Sequence, residues 1–122
     1  MKLFTKSQYE QLIKNGSWNN ADRDYIPVVK LFMTNSSYTC LLTELDPEFP
    51  DHAFGLCDFG MGFPELGAVS IQELKDTQGF LRFLERDTSF EGKYPLSVYA
   101  RAASVAGRIV EDDATLQRFV KP

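Results

Sequence analysis

A chain of 122 residues and 13.9 kDa, 43% hydrophobic and 25% charged, is sized for a single domain, residues 1–122, whose core needs no disulfide or metal staple. Its net charge of −4 is unevenly spread: residues 31–74 hold seven carboxylates (Glu44, Asp46, Glu48, Asp51, Asp58, Glu65 and Glu73) and no Lys or Arg, which excludes a phosphate-gripping surface built on that middle third. No apolar run is long enough to cross a bilayer and the first ten residues lack the apolar centre of a signal peptide, so a cytoplasmic protein without membrane association is expected.

In chain order, residues 5–15 predict a helix. Thr5 and Gln8 have capping-box spacing, Tyr9, Leu12 and Ile13 share a face, and Gly16 stands as the C-terminal stop. Residues 17–25 read as a polar connection, with Trp18 as a packing lid at the core edge. Residues 26–33 (IPVVKLFM) form the first strand, with Pro27 at its start where no ladder donor is needed. Asn35-Ser36-Ser37 makes a hairpin turn. In the strand 38–45, Cys40, Leu42 and Glu44 alternate against Thr39, Leu41, Thr43 and Leu45. Pro47 and Pro50 interrupt the ladder, and 53–59, apolar at nearly every position, reads as a strand inside the sheet. Pairing about a centre between Glu48 and Phe49 sets Cys40 opposite Cys57, both read as small buried hydrophobes in a reducing compartment.

Gly60 and Gly62 then permit positive φ in a tight corner, and Pro64 bends the chain before it extends through Ala68 and Val69. Ser70 and Glu73 cap a short helix from Ile71 to about Asp76. Residues 81–90 read as a fifth strand, although LRFLERD is also compatible with a helix. A helix from Ser97 to Ala106 carries Val98, Ala102 and Val105 as an apolar stripe and ends at Gly107. Asp112 or Asp113 caps a last turn or two holding Leu116 and Phe119. Strands arriving as consecutive hairpins predict an α+β domain: a mainly antiparallel sheet of four to five strands with two to four flanking helices.

The corner is neither a dinucleotide fingerprint, since Glu65 stands where a third Gly is needed, nor a Walker loop, since no Gly-Lys-Ser/Thr follows. The carboxylates around His52 lack EF-hand spacing, so neither a metal nor a cofactor is expected. With one His and no activated nucleophile, no catalytic residues are assigned. The reading that best fits is a protein-binding surface of Glu44, Asp46, Glu48, Asp51, Asp58, Met61, Phe63 and Glu65. Its acidic groups would steer a basic partner, and Met61 and Phe63 would supply apolar contact. Two alternatives remain open. Asp58 and Glu65 would pair as acid and base in a small hydrolase; or Arg82, Arg86, Arg101 and Arg108, with Tyr94 or Tyr99 for stacking, would bind single-stranded nucleic acid weakly.

The runs LLTELDPEFPDHAFGLCDFGMGFPELGAVSIQEL, LERDTSF and PLSVYARAASVAGRI give the chain a likeness over nearly its whole length. It resembles a bacterial domain-of-unknown-function family with an ELDPE turn, a Gly-rich PELG corner and a closing helix. The resemblance implies a gene carried on plasmids and integrative conjugative elements, sometimes beside antirestriction-type domains. It brings no assigned catalytic residues.

Overall fold

A computed structural model describes residues 3–17 and 23–121; Trp18 lies outside the described residues. Five strands, β1 (Val29–Met33), β2 (Thr39–Leu45), β3 (His52–Asp58), β4 (Glu65–Ser70) and β5 (Leu84–Arg86), form one antiparallel sheet in the order β4-β3-β2-β1-β5. The four helices are α1 (Lys6–Gly16), α2 (Ile71–Asp76), α3 (Leu96–Ala106) and α4 (Asp113–Gln117). This is the α+β architecture expected. Short links make β1 to β4 a meander, and β5 reaches the far edge only after α2 has packed on the sheet. Leu12 of α1 and Ile71 and Leu74 of α2 join Leu31, Cys40, Leu42 and Leu45 on one face. Val98, Tyr99, Ala102 and Ala103 of α3 and Leu116 of α4 join Leu41 and Leu56 on the other.

Two caps hold as read. Thr5 and Gln8 satisfy each other's backbone N–H groups, and Ser70 accepts the Glu73 N–H at 3.1 Å. Cys40 and Cys57 are cross-strand partners, buried and unbonded. A hydrogen bond between the two thiols, and then burial, pushes the Cys40 thiol far up.

The alternation expected along β2 fails at one residue. Leu42 faces Gly55, yet Glu44 faces Phe54, so Thr43 is the extra residue of a β-bulge. Because side chains alternate with period two, one unpaired residue reverses the faces beyond it. Leu45 therefore joins Cys40 and Leu42 under α1, and Glu44 turns to the α3 side beside Phe54 and Leu96. The freed Thr43 carbonyl accepts from the buried Asn15 amide at 2.8 Å, and Asn15 in turn accepts from Gln11 at 2.8 Å. The end of α1 is thus pinned onto the bulge. A Cβ at Gly16 would lie 1.9 Å from the Leu45 carbonyl oxygen. Gly16, expected as the residue that ends the helix, is instead its last helical residue, kept small by contact, and Ser17 caps in the right-handed region.

Two other elements depart from expectation. In α3, Val105 is exposed while Tyr99 and Ala103 are buried, because the helix presents a face rotated from the Val98–Ala102–Val105 stripe. The fifth strand is confined to three residues. Gly79 and Arg82 bridge each other, and Leu81 turns left-handed with φ 59°, so 79–83 is a closed loop. Beyond the strand, Lys30 Nζ meets Asp87 at 3.3 Å and Glu111 at 2.7 Å, tying β1 to the chain on both sides of α3. Burial pulls this ammonium down, but the two carboxylates outweigh it and Lys30 stays above its ordinary value.

Candidate functional site

The eight residues read as one binding surface fall at opposite ends of the sheet. Asp46, Glu48 and Asp51 follow the end of β2, whereas Met61, Phe63 and Glu65 follow the end of β3. Seven residues of β3 separate the two groups by about 20 Å.

At the acidic end, Asp46 and Glu48 are exposed, and the Asp46 carboxylate accepts the Glu48 N–H at 2.9 Å. Phe49 stacks on His52 with ring centroids 5.2 Å apart. Asp51 turns towards α2, where its oxygens accept the Ser70 hydroxyl at 2.5 Å and the Gln72 N–H at 2.7 Å. First the Ser70 hydroxyl and then the Gln72 N–H hold its carboxyl below the ordinary carboxylate value. A group so depressed stabilises the fold fully above its unfolded pKa, near 3.9, and loses that contribution as pH falls through the folded value. Asp51→Asn therefore melts at a lower temperature than the parent between about pH 5 and 7, with the gap closing below about pH 4. Thermal melts across that range check this, and a gap independent of pH would contradict it.

Glu44 is buried and ion-paired to Arg23 Nε at 3.1 Å. A cation from the N-terminal flank thus folds over the cation-free middle and neutralises this carboxylate. The pairing was not legible in sequence, because it depends on the parity reversal at Thr43.

At the other end, Gly60 and Gly62 take φ of 76° and 83°. A Cβ at Gly60 would stand 2.7 Å from that of Ser37, so the corner lies directly on the β1–β2 turn. Asp58 is buried and accepts the Gly60 N–H at 2.8 Å and the Ile109 N–H at 3.2 Å. Its carboxylate clasps the corner to the segment after α3. Glu65 is the register partner of Cys57 and so shares the α1 face, while Asp58, one residue on, turns to the α3 side. The two carboxylates do not converge as an acid–base pair. Met61 and Phe63 project into solvent, 76% and 78% exposed.

The arginine alternative is likewise dispersed. Arg101 donates from Nε and Nη2 to the Phe119 carbonyl at 3.1 and 2.5 Å, and Gly107 ends α3 before Arg108. Tyr99 is buried and its hydroxyl accepts the Lys93 N–H at 3.1 Å, so it offers no open ring for stacking. Among the described residues, no three His, Cys, Asp or Glu side chains converge as a metal site. No helix there is long and apolar enough to cross a membrane.

What the sequence reading missed is the loop 79–83. Phe80 is 94% exposed, and Leu81 and Phe83 are also exposed. Leu81 and Asn35 both have positive φ, an uncommon state for residues other than glycine. They hold each other: Asn35 Nδ2 and Thr34 Oγ1 donate to the Leu81 carbonyl, and the Phe83 N–H donates to Thr34 Oγ1 at 2.8 Å. Three large apolar residues within four positions after a glycine were the available signal, since a strand of that length cannot point all three to one face.

The family described as "Protein of unknown function (DUF2958)" matches residues 3–110. The chain belongs to this family. The match spans the whole sheet together with α1, α2 and α3, so corner, bulge and loop all lie within the family domain. No curated protein and no solved structure matches the chain.

Proposed function

We propose that this DUF2958 domain is a non-enzymatic protein-binding module that engages its partner with the corner end of the sheet. One observation carries the reading. Phe59, Met61 and Phe63 of the corner and Phe80, Leu81 and Phe83 of the loop are all exposed, and all flank the strand ends at this one end. The turn 34–38 joins them: the Tyr38 ring packs edge-on against Phe59 at 4.9 Å, Ser37 meets Gly60, and Asn35 bonds to Leu81. Aromatic and methionine side chains grouped on rigid turns are characteristic of interface cores. Their fixation lowers the ordering cost of binding.

The reading differs from a wholly acidic surface in one respect. Asp58, Glu44 and Asp51 serve the fold, which leaves Asp46, Glu48 and Glu65 as the open carboxylates among the eight residues. These favour a basic partner by long-range steering. Carriage on a plasmid or conjugative element, implied by the resemblance, fits an accessory role toward proteins of defence or DNA transfer. In-cell crosslinking in the native host tests the reading with two variants, Met61→Ser/Phe63→Ser and Asp46→Asn/Glu48→Gln. The first is expected to lose a specific crosslinked partner by about tenfold with its melting unchanged, and the second to lose less. Equal crosslinking by the corner variant and the parent would sink it.

A further inference from the structure

β4 ends the strand order, so among the described residues nothing pairs with its outer edge. The direction of its backbone groups follows from the ladder. The Ile71 N–H donates to the Asp51 carbonyl at 2.9 Å, in the same register as the pairs His52↔Ser70 through Cys57↔Glu65. Hydrogen-bonded pairs alternate in an antiparallel ladder, so Val69, Gly67 and Glu65 face β3. Leu66 and Ala68 therefore aim their N–H and C=O groups outward.

Sheet proteins guard such edges with proline, lysine or a bulge. β4 contains no proline and no lysine, and its pairing to β3 runs through six consecutive pairs without a register shift. Beside it runs an apolar groove of about 290 Å³ lined by Cys57, Phe59, Met61, Phe63, Leu66 and Val69, with Glu65 its one charge. Gly67 leaves the groove open, since a Cβ there would meet nothing within 4 Å. Among the described residues, none of the ion pairs reaches Glu65.

Resting on the protein-binding reading above, we infer that β4 takes up an extended strand of the partner, in which an aliphatic or aromatic side chain and a lysine or arginine stand two residues apart, because Gly67 and Glu65 share one face of the sheet. Its backbone completes the Leu66 and Ala68 hydrogen bonds, one apolar side chain fills the groove, and a cation meets Glu65. Main-chain bonds supply affinity and the groove supplies specificity in this mode of recognition. Charge decides against a second copy as occupant, because its β4 would bring another Glu65 and again no cation.

The test selects short random peptides on the purified chain by display, then titrates the synthetic binders. Selected sequences are expected to carry an apolar and a basic residue two positions apart. They should slow hydrogen exchange at the Leu66 and Ala68 amides by about tenfold or more. Ala68→Pro, which removes an outward N–H and no bond to β3, should weaken binding by about tenfold. N-methylation of alternate peptide amides should do the same without altering the protein, which covers the case of a misfolded proline variant. Glu65→Gln should reduce affinity and its salt dependence. Binding that survives Ala68→Pro and N-methylation but is lost in Met61→Ser/Phe63→Ser would remove strand addition and leave the corner reading standing. Failure to select any peptide, or protection at other amides, would also overturn it. So would a dimer, seen by sedimentation, that Ala68→Pro dissociates.

Discussion

Gly55→Ala is expected to destabilise the domain by about 3 kcal/mol, or to prevent folding. A Cβ at this position would lie 2.0 Å from the Leu41 carbonyl oxygen and 2.9 Å from the Leu42 Cα, all of it backbone. Relief would require β2 to move away from β3. It cannot do so cheaply, because Leu41 and Leu42 are fully buried in opposite core layers. The crowding belongs to the bulge: Leu42↔Gly55 is the last pair before the register shift. In a domain whose net stability is of order 5–15 kcal/mol, this is a large share. Gly67→Ala, on β4 directly opposite Gly55, is the control. Open space surrounds its added methyl, so its midpoint should match the parent or rise slightly. Urea unfolding followed by far-UV circular dichroism measures both, and coincident midpoints for Gly55→Ala and the parent would contradict the bulge geometry.

Asp58→Ala should cost about 2 kcal/mol, because two backbone N–H groups lose a charged acceptor in a largely buried setting. Asp58→Asn keeps one acceptor oxygen and should recover roughly half of that. The effect is also local. Amide exchange at Gly60 and Ile109 should accelerate in Asp58→Ala beyond what the change in global stability explains, since the corner loses its clasp to the segment after α3. Asp46→Asn, at an exposed turn, should change stability by less than about 0.5 kcal/mol. A mild Asp58→Ala with unaltered exchange at both amides would show that the carboxylate holds nothing, and would reopen it as a free acid or base.

These two cases show where sequence reading stops. Strand and helix positions were legible because periodicity and capping are local: Thr5 with Gln8, Ser70 with Glu73, and the prolines between β2 and β3 all act within a few residues. The hairpin itself was legible for the same reason, although the pairing of Cys40 with Cys57 also needs a one-residue shift, since the loop's own register, Leu45 opposite Ala53, would set Cys40 opposite Asp58. The bulge at Thr43 was not. Nothing in TCLLTEL marks which residue is extruded; that choice is made by Asn15, twenty-eight positions away, and by the missing side chain of Gly55. The candidate site suffered most, since Asp58 and Glu65 look like neighbours in a corner yet face opposite sides of a strand pair.

By itself, then, the chain determined its class, its capped helices, its hairpin order and the acidity of its middle third, because each follows from short-range chemistry. Tertiary structure alone decided that Arg23 neutralises Glu44, that the acidic turn and the Gly-rich corner stand at opposite ends, and that Phe80, Leu81 and Phe83 join the corner as one exposed apolar end. Those outcomes depend on which faces and ends the sheet brings together. Strand parity and long-range packing set them, and neither is encoded within any one segment.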